Sequence, residues 1–200
     1  RPNAGHPDRL HLRPAPLGFA RRKGPRHAAH LCLFRPLQIS MRPTAGFMAK
    51  HPAHWIALGF GSGLSPKAPG TVGTLWAWAS WWVFHQHFSQ LEWGLLLAVS
   101  TLLGWWACKI TAENMGIADP GAIVWDEVLA FWLILWLLQP SSFLTQCFAF
   151  ALFRYFDAAK PGPVAWADRL FKGFGWRGAF GILLDDFVAA FCTLFCFALW

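Results

Sequence analysis

The chain has 200 residues, of which 56% are hydrophobic and only 14% are charged, and it contains 14 Trp and 19 Phe. This composition, with a mean hydropathy of +0.36, excludes an ordinary soluble domain and predicts a membrane protein. The formal net charge of +7 by itself suggests binding to nucleic acid or to a membrane surface. The charge is, however, unevenly distributed along the chain.

Residues 1–47 carry the basic charge, with nine Lys or Arg against one Asp, whereas residues 48–200 have eight Lys or Arg and nine Asp or Glu. We therefore expect no nucleic-acid partner for the domain 48–200. The first 47 residues are rich in Arg, Pro and His, which predicts a disordered extension. It could be a basic arm or a transit peptide, but we favour a mis-assigned start, with translation beginning at Met48 or Met41.

Cysteine and histidine give no metal-site pattern. The five cysteines form no CxxC pair, and all eight histidines precede residue 88. We interpret the histidines as packing residues.

Four stretches lack charged residues, and a turn signal at residues 139–142 divides the third of them. The result is an all-α prediction, a membrane bundle of five apolar helical segments: 72–90, 93–108, 128–138, 143–153 and 187–200. Several segments are shorter than the roughly 20 residues that cross a bilayer. A water-soluble bundle with an apolar central helix is the alternative.

Following these hairpins brings every charged residue of the core except Glu92 to one side of the membrane. That side holds all the Lys and Arg of residues 48–200, and by the positive-inside rule it is the cytoplasmic side. The same path gathers five carboxylates: Asp126, Glu127, Asp157, Asp185 and Asp186. Hard oxygen ligands without nearby His or Cys favour magnesium or manganese over zinc.

Two basic residues accompany these acids. Arg154, Asp157 and Lys160 are spaced i, i+3, i+6, so a continuous helix would form a base, acid, base ridge suited to phosphate. A salt-bridge ladder without substrate is the alternative.

The glycine-rich stretch 59–74 precedes a predicted helix start and offers backbone amides, the hydroxyls of Ser65 and Thr71, and Lys67. Such a loop could hold an anion at the helix N-terminus. For the stretch taken alone, we favour a glycine-rich interfacial turn without a ligand.

Four ordered motifs carry a family resemblance: GSGLSPKAPGTVGT at 61–74, IVWDEV at 123–128, FRYFDAAKP at 153–161 and GILLDD at 181–186. Together they resemble the phosphatidylglycerophosphatase A family. The resemblance implies an all-helical, magnesium-dependent phosphatase of the bacterial inner membrane that converts phosphatidylglycerophosphate into phosphatidylglycerol and phosphate.

On this hypothesis the five carboxylates are both the catalytic groups and the ligands of one or two Mg²⁺ ions. Substrate phosphate would be bound by six residues: Lys67, Arg154, Lys160, Lys172, Ser65 and Thr71. Either water or a carboxylate could be the nucleophile, and the oligomeric state is not indicated. The rival function is a non-enzymatic helical membrane protein, such as a cation or proton transporter or an assembly factor.

Overall fold

The computed structural model describes residues 42–199, and predictions that concern residues 1–41 lie outside that range. The described chain is helical and has no β-strand. Its α-helices are α1 (Ala45–Met48), α2 (Pro52–Ala57), α3 (Pro69–Phe84), α4 (Gln90–Met115), α5 (Trp125–Leu137), α6 (Phe143–Ala159), α7 (Pro163–Leu170) and α8 (Gly175–Ala198). The all-α prediction is therefore confirmed.

The folded unit begins before the predicted boundary at residue 48. Thr44 caps α1 by accepting a hydrogen bond from the amide of Phe47. The Phe47 ring stacks on the buried His54 at a centroid distance of 4.3 Å. The last residues of the predicted disordered extension are thus part of the domain.

The five predicted segments overlap α3, α4, α5, α6 and α8, but their limits differ. Helix α3 ends at Phe84 instead of residue 90, whereas α4, α6 and α8 are longer than expected. The predicted helix 187–200 begins twelve residues earlier, at Gly175, and α4 continues to Met115. A charged residue ends an apolar run, but it does not end a helix. The end of a helix depends on capping residues, such as Gly116 in a left-handed conformation after α4. The three short helices α1, α2 and α7 were not predicted.

The helix α5 forms the centre of the core. Its residues Val128, Leu129, Phe131, Ile134 and Leu135 are all fully buried. A helix that is apolar around its whole circumference must be enclosed by others, and α5 packs against α3, α4, α6 and α8. This central position fixes where the first turn of α5 lies.

The bundle has two chemically different ends. The turn before α4 meets the turn before α6 through a hydrogen bond of 3.1 Å from Gln90 to Gln139. That end carries Glu92, whereas the opposite end holds the start of α3 and α5 and the end of α6. Within residues 42–199, two helices, α4 and α8, are long and apolar enough to cross a membrane.

Candidate active site

Three carboxylates from two helices meet at the start of α5. Asp126 and Glu127 lie in its first turn, and Asp186 lies near the middle of α8. Each offers an oxygen atom, and these atoms lie within 4.8 Å of one another. We call this group the acid cluster. The positive end of the α5 dipole favours the two acids in its first turn.

The acid cluster has buried oxygen atoms without partners. Asp126 Oδ1, Glu127 Oε2 and Asp186 Oδ2 are inaccessible to solvent and accept no hydrogen bond among the described residues. Buried polar groups normally have partners, and an unpaired buried charge is expensive. The arrangement therefore fits a bound cation, and three carboxylates match the oxygen ligands that magnesium prefers.

Arg154 provides a positive charge next to the acid cluster. Its guanidinium pairs with Asp157 at 2.7 Å and lies 3.9 Å from Glu127. It also donates a hydrogen bond of 3.3 Å to the hydroxyl of Thr74 on α3. Asp157 and Thr74 thus hold the guanidinium in place beside the cluster.

Lys160 departs from the predicted ridge. Helix α6 ends at Ala159, and Lys160 adopts a left-handed conformation as its C-cap. Its ammonium group pairs with Asp185 at 2.5 Å and with Asp168 of α7. The ridge therefore comprises Arg154 and Asp157, while Lys160 serves a second network.

That second network joins α7 and α8 through Asp168, which sequence reasoning missed. Lys172 pairs with Asp168 at 2.8 Å and lies 3.6 Å from Asp119. Burial alone would raise the pKa of Asp168, but hydrogen bonds from Lys160 and Lys172 outweigh it and lower this pKa to about 2. Burial alone would lower the pKa of Lys160, but Asp168 and Asp185 raise it above its usual range.

The glycine-rich stretch leads into α3 at the edge of the acid cluster. The Ser65 hydroxyl donates to the Lys67 carbonyl at 2.8 Å, the Lys67 side chain is exposed, and Thr71 lies in the first turn of α3. A Cβ atom on Gly70 would lie 2.1 Å from Glu127 Oε1. This close approach places the start of α3 directly against the carboxylate.

Comparison with known proteins decides the family. The family model described as Phosphatidylglycerophosphatase A matches residues 55–200. The chain belongs to the phosphatidylglycerophosphatase A family. The resemblance inferred from the four sequence motifs is therefore confirmed.

The sequence of the chain is similar to those of three curated proteins. It is 39% identical over 142 residues to phosphatidylglycerophosphatase A of Escherichia coli K12, covering 70% of this chain and 77% of the relative. The Haemophilus influenzae phosphatidylglycerophosphatase A is 36% identical, with 70% and 83% covered. A Bacteroides thetaiotaomicron protein, provisionally described as a phosphatidylinositol-3-phosphatase, is 36% identical, with 67% and 84% covered. No solved structure matches the chain.

The structure brings together three of the five predicted carboxylates, and one oxygen atom of each has no hydrogen-bond partner among the described residues. The other two, Asp157 and Asp185, lie nearby but are paired with Arg154 and Lys160. Their role as metal ligands stays a prediction. Gly70 and Thr74 were not predicted, because their importance depends on which helix lies against α3.

Proposed function

We propose that this chain is a magnesium-dependent lipid phosphatase that hydrolyses phosphatidylglycerophosphate to phosphatidylglycerol and phosphate in phospholipid biosynthesis. The acid cluster carries the proposal, because its three buried, unpartnered oxygen atoms adjoin a guanidinium suited to phosphate. Family membership and two relatives named phosphatidylglycerophosphatase A support the same reaction.

The acid cluster would hold the metal through Asp126, Glu127 and Asp186. Asp157 and Asp185 border the cluster and orient the basic side chains. Bound magnesium would supply charge neutralisation and Lewis acidity at the phosphate.

Arg154 would bind the phosphate oxygens. Its guanidinium is already positioned by Asp157 and Thr74, so little side-chain entropy is lost when substrate binds. Its positive charge would stabilise the transition state as negative charge redistributes over the phosphoryl oxygens.

Lys67 is the second candidate for phosphate binding. It is exposed in the segment that leads to α3, where Thr71 and the helix N-terminus would also be available to an incoming anion. Lys160 and Lys172 are engaged with Asp168, so we assign them mainly to holding α7 beside the site.

We further propose that the chain crosses the bacterial inner membrane several times, with the acid cluster at the cytoplasmic face. The apolar helices α4 and α8 support membrane integration. The transporter alternative is not favoured, because the relatives are named as phosphatases and a cation pathway gains little from a guanidinium beside its acids.

Phosphate release from phosphatidylglycerophosphate by the purified protein in detergent tests this function. We expect EDTA to abolish activity and Mg²⁺ to restore it, and we expect Asp126→Asn or Asp186→Asn to reduce kcat by at least about a hundredfold. Glu113→Gln, which alters an exposed carboxylate paired with Lys109, is the matched control and should keep full activity. Full activity in either aspartate variant would disprove the assigned roles.

The Bacteroides relative defines a second substrate to measure. Phosphatidylinositol-3-phosphate presents the same phosphomonoester on a bulkier headgroup. Higher kcat/KM on it than on phosphatidylglycerophosphate would contradict the proposed substrate but not the proposed chemistry.

A further inference from the structure

An open apolar groove runs along the outer face of α3 beside the start of α6. It has a volume of about 460 Å³ and is lined by Leu75, Trp78, Ala79, Trp82 and Phe143. All five residues are apolar or aromatic, and none carries charge. Its contents in a membrane would therefore be hydrocarbon.

The aromatic walls of the groove are held in fixed positions. Trp78 stacks on Phe143 and on Phe150, each at a centroid distance of 5.6 Å. The indole N–H groups of Trp78 and Trp82 donate to Gln146 Oε1 at 2.7 and 3.1 Å. Their polar atoms are thereby satisfied within α6, and a preformed apolar surface costs little ordering when a ligand binds.

The groove lies on α3, the helix whose first turns border the acid cluster. Residues 71, 75, 78 and 82 share one face of α3 by helical periodicity, so Thr71 lies at the polar end of the same stripe. At that end Arg154 bridges α6 to Thr74, and Gly70 abuts Glu127. A lipid whose phosphate lies at the cluster would therefore direct an acyl chain along this stripe.

The dimensions suit a single leaflet. From Leu75 to Trp82 the helix rises about 10 Å, at 1.5 Å per residue. One leaflet contributes about 15 Å of hydrocarbon, half of the bilayer core. The groove thus covers most of the depth that a chain from the cytoplasmic leaflet would occupy.

We infer that this groove between α3 and α6 binds one acyl chain of the lipid substrate whose phosphate is held at the acid cluster. The inference rests on the proposed function and adds the element that recognises the lipid tail. Other exposed apolar residues, such as Leu95 and Leu102, lie on α4, which contributes no residue to the acid cluster.

Filling the groove tests the inference. Ala79 is exposed within it, so Ala79→Trp should occupy the space without disturbing the core, and Ala98→Trp on α4, also exposed, is the matched control. We expect Ala79→Trp to raise KM for dioleoyl phosphatidylglycerophosphate in mixed micelles roughly tenfold, equivalent to losing contact with about two methylene groups. On the dihexanoyl substrate its kcat and KM should match the wild type.

Four outcomes separate this inference from the proposed function. A loss confined to Ala79→Trp and to the long-chain substrate supports the groove. If the ratio of kcat/KM on the long-chain substrate to kcat/KM on the short-chain substrate is the same in Ala79→Trp as in the wild type, the inference is overturned. The groove would then hold only bulk membrane lipid. A wild-type protein inactive on both substrates overturns the proposed function and with it this inference. If Ala79→Trp loses activity on both, the same ratio measured with the smaller Ala79→Leu decides between the first two outcomes.

Discussion

At Gly70 the backbone of α3 lies so close to the Glu127 carboxylate that a side chain has no room. A Cβ atom there would come within 2.1 Å of Glu127 Oε1 and 3.3 Å of the Arg154 guanidinium. The first contact is far below van der Waals distance, so one group must move. Because Glu127 is part of the acid cluster, a single methyl group at residue 70 would disturb the metal-binding and phosphate-binding groups together.

We therefore expect Gly70→Ala to lower kcat by roughly a hundredfold, the usual cost of misplacing a catalytic group by about 1 Å. Helix stability should not fall, since Ala is a better helix former than Gly. Gly121→Ala, where nothing lies within 4 Å of the added Cβ, is the control for phosphatase assays. Wild-type activity in Gly70→Ala would show that Glu127 can move without loss.

His54 is a buried residue that stabilises the fold in its neutral form. It lies 2.9 Å from the Thr111 hydroxyl through Nδ1 and 3.2 Å from the Asn114 amide through Nε2. Burial, and to a lesser extent the charge of His51, lower the pKa of His54. The unfolded chain therefore takes up a proton at this residue at a higher pH than the folded protein does.

Because the folded-state pKa is the lower one, the stabilisation from His54 is present above about pH 6.5 and is lost as the pH falls below it. We expect Tm in detergent to drop more steeply between about pH 7 and pH 5 for the wild type than for His54→Gln. The exposed His87 supplies the control His87→Gln, which should keep the wild-type slope. Equal slopes for all three proteins would contradict this role.

At the scale of elements, the short helix α7 is held to α8 by ion pairs as well as by packing. Asp168 of α7 accepts from Lys160 and Lys172, and Lys160 also contacts Asp185 of α8. Close backbone packing supports the same junction, since a Cβ on Gly181 would lie 2.0 Å from the Phe171 carbonyl oxygen. Any loosening of α7 would therefore leave Lys160 paired with Asp185 alone.

We expect Asp168→Asn to lower the free energy of unfolding by about 1 kcal/mol, the upper range for partly exposed pairs. Because the pKa of Asp168 is lowered to about 2, this contribution is complete above about pH 4 and disappears as the pH falls toward 2. Glu113→Gln breaks the i,i+4 pair with Lys109 and should cost only about 0.3–0.5 kcal/mol. Thermal unfolding at neutral pH in detergent compares the two, and equal effects would argue against the network.

At the scale of the molecule, the two ends of the bundle differ in their charged residues, and the lateral surface between them is apolar. Lys67 and Arg154 lie at the end that holds the acid cluster, and Gln86 and Glu92 lie at the other. Exposed side chains along α4 and α8 include Leu102 and Phe195. This distribution is typical of a protein surrounded by lipid.

Cysteine labelling tests the proposed orientation. In a background without native cysteines, Lys67→Cys should react with a membrane-impermeant maleimide in inverted inner-membrane vesicles but not in intact spheroplasts. Gln86→Cys, exposed near the opposite end, should show the reverse pattern. Labelling of both residues from the same side would exclude this topology.

The sequence alone determined the helical class and the family, because these depend on local composition and on ordered motifs. It singled out Asp126, Glu127 and Asp186 but not Asp168, which lies outside those motifs. It did not determine the ends of α4 and α8, since charges interrupt apolar runs without breaking a helix. Only the tertiary structure decided that Asp126 and Glu127 meet Asp186 while Asp185 pairs with Lys160. These contacts join residues far apart in the chain, and they follow from how α5, α7 and α8 pack together, which no local pattern encodes.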